Sequence, residues 1–454
     1  RITTAIQLSR LSASRFASTR AQRRVAAMPE PLGSRRPSET LPLAGSGSKT
    51  GNTSFLGAVT TMLKFCIGTG VLAVPHAFST GGVLPCALAL LGLLLWNDWA
   101  GRRLIQARDL LDADALRRFN EGGGESPLAA LTREVCGAAV AGVVEAVFFV
   151  LMFGVAVAYL VALHDFVRAT PLAMPLGVDV ALAAAAAVPL ALVDDFGSLA
   201  AAGAAALVAL ACSLAAIALY GVMRRERLGW AQSGTFDWTK PDSVADLGAA
   251  VGVMAFCFGV APVALHLEAS MAAPERFAAA QRVALFTAFA AYVIVGAGVA
   301  RLYDGPAPDD SVPGNVLDAL PTGATPTAVR LAMAAACVAS IPIGLVGCGE
   351  ILEARIPRCR RLVVRGLVAV AAALVAYAMP AFALVVGLVG AVAVCTLSFA
   401  LPPLVHLLLA KRNGLPLIED AVLLIAGVLL VVVTTTLTAR TTAAALAEAY
   451  ADDD

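Results

Sequence analysis

Between residues 54 and 439 the chain is a succession of eleven apolar stretches, each close to the length of a bilayer crossing. They run over 54–78, 82–101, 138–166, 177–193, 197–222, 246–270, 277–302, 326–352, 362–380, 384–409 and 417–439. A helix needs roughly 20 apolar residues to cross hydrocarbon, where every backbone polar group must be bonded within the protein. The expected fold is therefore an all-α integral membrane protein with eleven transmembrane helices. Composition agrees: 59% of residues are hydrophobic and 14% charged, too little charge to clothe a soluble fold of 454 residues. The 39 glycines suit close helix packing. A net charge of +1 gives no electrostatic case for a nucleic-acid partner. Cys66, Cys86, Cys212, Cys257, Cys337 and Cys395 lie inside apolar runs, a pattern that points to neither a disulfide framework nor a metal site.

Residues 1–53 read as a disordered leader, polar and rich in Ser, Pro and Gly. Its first part, 1–27, holds six arginines and no acid, whereas the first methionine is Met28. Two readings stay open there: an organellar transit sequence, or residues that are not native to the protein. Sidedness follows from Lys and Arg, which cytoplasmic loops retain. With the N-terminus inside, 24 of the 33 basic residues fall inside and eight outside, and Lys64 lies within the first span. The cluster Arg224, Arg225, Arg227 sits on the wrong side. The loop from Tyr303 to Thr325, with Asp304, Asp309, Asp310, Asp318 and no base, reads as exterior.

The starts of spans 6 to 10 follow those of spans 1 to 5 by 185 to 195 residues. An odd number of helices per unit makes the second unit enter from the opposite face, so the spacing predicts two five-helix units of inverted topology, 54–222 and 246–409. Span 11 (417–439) and a short tail (440–454) complete the chain. The first helix of each unit is interrupted near mid-membrane, by Ile67-Gly68-Thr69-Gly70 in span 1 and by Phe258-Gly259-Val260-Ala261-Pro262 in span 6. Gly loosens a helix and Pro removes a donor. Backbone freed at that depth is tolerated only where protein or a water-filled cavity satisfies it, and half-helix N-termini favour a carboxylate. Ile67, Gly68, Thr69, Gly70, Phe258, Gly259 and Val260 are thus candidate substrate-binding residues.

At these residues the chain resembles the amino acid/auxin permease family. Lys64-Phe65-Cys66-Ile67-Gly68-Thr69-Gly70-Val71-Leu72-Ala73-Val74-Pro75 is similar to that family's first-helix motif. Tyr159 with Asp165 resembles the end of its third helix, Leu267-Glu268 with Pro274-Glu275-Arg276-Phe277 its sixth-helix exit, Ser340-Ile341-Pro342 its eighth helix, and Pro380 to Leu409 its tenth. The resemblance implies an eleven-helix LeuT-type fold, five plus five inverted with one extra helix. It also implies import or export of amino acids, usually proton-coupled, at the vacuolar membrane, another endomembrane or the plasma membrane. Tyr159 joins the candidate binding residues, and Ser340 joins those for coupling or gating. Two departures bear on coupling. Thr61 and Gly259 stand where proton-coupled relatives often have a histidine and an acid, and Thr53 to Phe78 lacks the asparagine of the sodium-coupled branch. The proton remains the expected coupling ion, with sodium disfavoured and no other cofactor.

Charges at membrane depth are functional candidates. Lys64 is either part of coupling or a residue that snorkels toward the cytoplasm. Glu268 is either a gate or a helix anchor. Glu145 reads as structural, His266 and His406 as satisfied imidazoles, and Glu350 and Glu353 beside Arg355 and Arg358 as the solvated end of span 8. No G-x-S-x-G, H-E-x-x-H or phosphate loop is present, and Gly122-Gly123-Gly124 has no strand before it. No enzyme is expected. The partners are a small amino-acid substrate and the bilayer. A non-transporting amino-acid sensor on the same fold is the alternative function.

Overall fold

A computed structural model of the protein describes residues 51–121, 125–175, 177–192, 196–228, 238–239, 241–303, 312–356, 359–379 and 381–451. The leader up to residue 50, with Met28, lies outside them, as do Gly122, Gly123, Gly124, Asp304, Asp309, Asp310, Arg358 and Pro380.

Each of the eleven apolar runs coincides with a helix or a broken helix. α1 is split into α1a (Phe55–Cys66) and α1b (Val74–Gly81). It is followed by α2 (Val83–Asp109), α3 (Ala138–Arg168), α4 (Val178–Ala191) and α5 (Phe196–Leu228). α6 is split into α6a (Val244–Cys257) and α6b (Ala264–Ser270). Then come α7 (Phe277–Tyr303), α8 (Ala324–Arg355), α9 (Arg361–Ala378), α10 (Phe382–Arg412) and α11 (Ile418–Ala451). Among the described residues nine helices are long and apolar enough to cross a membrane. The two runs outside that set are α1, which its break shortens, and α4, with 14 residues. α11 continues as helix to Ala451, into the stretch read from sequence as a tail.

Local chemistry sets these ends. The Ser54 hydroxyl accepts from the Gly57 amide at 3.1 Å and caps α1a. Gly82, with φ 75°, turns the chain from α1b into α2, a conformation that disfavours a side chain. The segment between α2 and α3 forms two short helices, Ala113–Glu121 and Pro127–Cys136. Neither is long enough to show in a search for membrane-length runs. α10 carries two π-helical turns, Gly390–Val394 and Thr396–Ala400, a geometry often placed at functional sites.

Small residues set the closest approaches. α8 lies along α3 with Gly344 against the Met152 carbonyl, and α6a lies on α10 where Gly252 faces Gly390. A methyl group at Gly390 would collide with the Gly252 carbonyl oxygen.

Polar groups gather at the two ends of the bundle. At the face where α1 begins, the Thr53 amide donates to the Ser270 carbonyl at 3.0 Å and the Ala272 amide to the Thr53 carbonyl at 2.9 Å, joining the start of α1a to the end of α6b. On the same face the His406 Nδ1 lies 2.7 Å from Asp420, and Arg103 and Trp99 both donate to Glu419, at 2.5 and 2.6 Å. Glu145 pairs with Arg355, and Arg365 donates to Glu353 at 2.8 Å. At the opposite face the anomalous arginine cluster finds its physical reason. Arg224 donates to the Tyr303 carbonyl at 2.5 Å and Arg225, fully buried, to the Arg301 carbonyl at 2.6 and 2.9 Å. Cations there complement the carbonyl end of α7.

Gly390→Ala is expected to destabilise the protein by about 1–3 kcal/mol through overpacking against α6a. Gly142→Ala, where a methyl group meets nothing within 4 Å, should leave stability unchanged. Thermal unfolding of the two purified variants in detergent checks this, and equal melting temperatures would contradict the packing assignment.

Candidate functional site

The breaks in α1 and α6 are adjacent. After Cys66 the chain leaves the helix at Ile67 (φ −83°, ψ 75°), runs extended at Gly68, and resumes through a 3-10 turn at Thr69–Leu72. α6a ends at Cys257, and a 3-10 turn at Ala261–Val263 leads into α6b. A methyl group at Gly70 would stand 3.1 Å from the Phe256 ring and 3.2 Å from Cys257 Sγ, so the two breaks meet there without side-chain spacing.

The hydrogen bonds at the breaks show which polar groups remain available. Gly68 donates to Cys66 at 2.9 Å, and Val71 to Gly68 at 3.2 Å. Among the described residues no partner accepts from the amides of Thr69 and Gly70, which open the turn leading into α1b. The Ala261 amide, at the corresponding point of α6, is likewise unpartnered among the described residues. Two free N–H groups in succession at the start of a helical segment form an anion cradle. The Cys257 carbonyl at the end of α6a, by contrast, accepts from the Tyr292 hydroxyl of α7 at 3.0 Å. The Tyr292 ring packs edge-on against Phe258, with centroids 5.5 Å apart.

Opposite the break in α1 stand α3 and α8. The Tyr159 hydroxyl would lie 3.7 Å from a methyl group at Gly68 and is within hydrogen-bonding reach of Thr69 and Ser340. Ile67, Gly68, Thr69, Tyr159, Gly259 and Ser340 are all only partly covered, although fully buried residues surround them in sequence. They line one space between the breaks and α3 and α8.

The structure thus brings together Gly68, Thr69, Gly70, Tyr159 and Ser340, with Ile67 beside them. It also sorts the other candidates. Gly259 faces α10, where a methyl group would stand 3.8 Å from Val394. Phe258 is wholly buried against Tyr292, and Val260 is also buried, so both shape the break from behind. Glu268 is buried and paired with Arg108 of α2, at 2.5 and 3.2 Å, on the face where α1 begins. Lys64 sits in the last turn of α1a, one helical turn before Gly68. Among the described residues no hydrogen bond or ion pair reaches its ammonium. A cation at that position complements the negative end of the half-helix.

Residues missed in the sequence are Phe256 and Cys257, which meet Gly70, Tyr292, which caps Cys257, Arg108, which holds Glu268, and Val394. Arg108 left only a general signal, as one of six arginines between spans 2 and 3. The tenth span gave no sign of its π turns.

Gly68→Leu should abolish ligand binding while expression and melting temperature persist, because a branched side chain fills the space before Tyr159, whereas Gly70→Leu should abolish binding with a lowered melting temperature, because it drives Gly70 off Phe256. Tyr159→Phe should weaken binding by about tenfold, the loss of one hydrogen bond to a bound ligand. Equilibrium binding to the purified variants measures both, and wild-type affinity in all three would remove the breaks from the site.

Known proteins resemble the chain in family and in fold. The family model of the transmembrane amino acid transporter protein matches residues 51–446. No curated protein matches the chain. Among solved structures, Mhp1, a nucleobase-cation-symport-1 family transporter in a closed conformation with bromovinylhydantoin bound, is similar with a TM-score of 0.54 at 14% identity, over 89% of this chain and 96% of that one. MhsT in complex with L-phenylalanine is similar with a TM-score of 0.49 at 17% identity, over 86% of this chain and 97% of that one. The likeness to Mhp1 shows a shared fold.

Proposed function

The chain belongs to the transmembrane amino acid transporter family, and from that premise we propose that it is a secondary active transporter. It carries amino acids across a membrane, held at the midplane between the breaks in α1 and α6. The observation that carries this reading is the meeting of two interrupted helices at unpartnered backbone donors. The amides of Thr69 and Gly70 suit the substrate carboxylate, with Tyr159 and Ser340 across from them. Carbonyls released at the end of α1a suit its ammonium. The residues that line this space are uncharged. A charged substrate side chain would find no counter-ion there and would be costly to hold at that depth. The substrates are therefore amino acids with neutral side chains.

In our reading all eleven helices cross the membrane with the N-terminus cytoplasmic. α1 to α5 and α6 to α10 form two inverted units, and access alternates as one set of helices moves against the other. α1b is packed on α6a and α7 with Phe78 wholly buried, whereas α1a packs chiefly against α7 and leaves Leu56 72% exposed. The Thr53 pairing makes α1a and α6b move together, and the Arg108–Glu268 pair ties α2 to them. Glu268 is then an anchor within the moving set. Protons are the coupling ion in this account. An ammonium at Lys64, in the last turn of α1a beside the break, fills the place that a sodium ion would need, and complements the negative end of that half-helix.

Vesicles reconstituted with the protein should accumulate labelled neutral amino acids when an inward proton gradient is imposed, and should not respond to a sodium gradient. Excess glutamate or arginine should fail to compete. Lys64→Met should reduce proton-driven uptake by about tenfold. Sodium-driven, pH-insensitive uptake would refute proton coupling, unchanged uptake in the variant would make Lys64 structural, and binding without accumulation would mark a sensor.

A further inference from the structure

The face opposite the start of α1 carries a polar cluster that the substrate site does not use. The last turns of α3 supply His164, Asp165 and Arg168, and the start of α4 supplies Asp179. The segment before α8 supplies Asn315 and Asp318, and the first turns of α8 supply Arg330. Arg168 donates to Asp318 at 2.8 Å, and its Nε stands 3.8 Å from Asp165, so one cation bridges carboxylates from two separate segments. His164 Nδ1 lies 2.6 Å from Asp179. Arg330 donates to the carbonyls of Leu320 at 2.5 Å, Leu317 at 3.3 Å and Pro321 at 3.4 Å, which fastens the turn Val316–Ala319. Val312 and Val316 are buried, and the Val312 carbonyl lies 2.8 Å from His76 Nδ1 of α1b. The segment 312–320 is thus a docked cap over the outer ends of α1b and α3.

The two carboxylates of this cluster nearest the cap share one cation. Asp165 and Asp318 have the single guanidinium of Arg168 between them, while His164 and Asp179 pair with each other. Asp165 and Asp179 are both buried, where a charge is costly. Asn315, 3% exposed, lies beside Asp165, and its Oδ1 accepts from the Leu317 amide at 3.2 Å. The other basic groups nearby have separate roles: His76 faces the Val312 carbonyl, and Arg224 and Arg225 of α5 reach the carbonyl end of α7.

We propose that Asp165 and Asp318, bridged by Arg168, form the site at which the transporter takes up its coupling proton from the outer solution as the 312–320 cap docks. The reaction is reversible addition of one proton to one carboxylate of the pair, with no other bond made or broken. The inference rests on the proton-coupled reading above and gives that reading a location, which the departures at Thr61 and Gly259 leave vacant. Burial pushes the Asp318 carboxyl above its ordinary range, against the opposing pull of Arg168. A group whose pKa is raised in the docked state stabilises that state at low pH, and the stabilisation is lost as pH rises through the raised value. Acid therefore favours the closed cap.

The test uses the full chain in vesicles, with wild type, Asp165→Asn and Asp318→Asn compared under an imposed pH gradient and in amino-acid exchange at equal pH. Both variants should keep exchange, which shows that they fold and bind, and should lose gradient-driven accumulation by about tenfold or more. Retained accumulation in both variants would overturn the site while leaving proton coupling intact. Absence of gradient-driven accumulation in wild type would overturn the coupling reading itself. Hydrogen exchange of the 312–320 amides, corrected for the intrinsic pH dependence, gives a second readout. Protection should fall between acid and alkaline pH in wild type and be pH-independent in Asp318→Asn; the same pH dependence in both would overturn the proposal.

Discussion

Hydrocarbon offers the backbone no water, so a chain can leave helical geometry inside a membrane only where another group takes over its hydrogen bonds or where a ligand will. This constraint explains why the two breaks lie side by side in the centre of the bundle. The carbonyl end of α6a is closed by the Tyr292 hydroxyl. The amides that open the turn into α1b, those of Thr69 and Gly70, are left without protein partners among the described residues. One half of the problem is solved by the fold, and the other half is what makes a site.

The rest of the architecture supports that junction. Gly70 admits Phe256 and Cys257, Gly252 and Gly390 bring α6a onto α10, and Gly344 brings α8 onto α3, which carries Tyr159. Since small residues set these approaches, the positions of Tyr159 and Ser340 follow from packing between helices far apart in sequence. The ends of the bundle are organised differently, by ions and carbonyls. Links at the face where α1 begins join α1, α2 and α6 to one another, whereas the cap at the opposite face joins α1 and α3. A moving unit and its closure can be built from these two kinds of contact.

Much of the fold could be read from the sequence because hydrophobic length is a local property: all eleven runs fall on helices. The breaks were legible because Gly68, Gly70, Gly259 and Pro262 act on the backbone that bears them. What was not legible is pairing across space. Glu268 finds Arg108 some 160 residues away, and Phe258 turns to Tyr292 and not to the substrate side. The carbonyls of α7 to which Arg224 and Arg225 donate could not be seen either. The short amphipathic helices before α3 and the π turns of α10 have no signature at the length scale of a membrane span.

The central claim is that the broken helices hold an amino acid by its charged ends. An experimental structure determined with saturating neutral amino acid tests it most directly. The account predicts the carboxylate seated on the amides of Thr69 and Gly70, with the side chain directed away from any ionised group. Substrate bound elsewhere, with those amides still unpartnered, would contradict it.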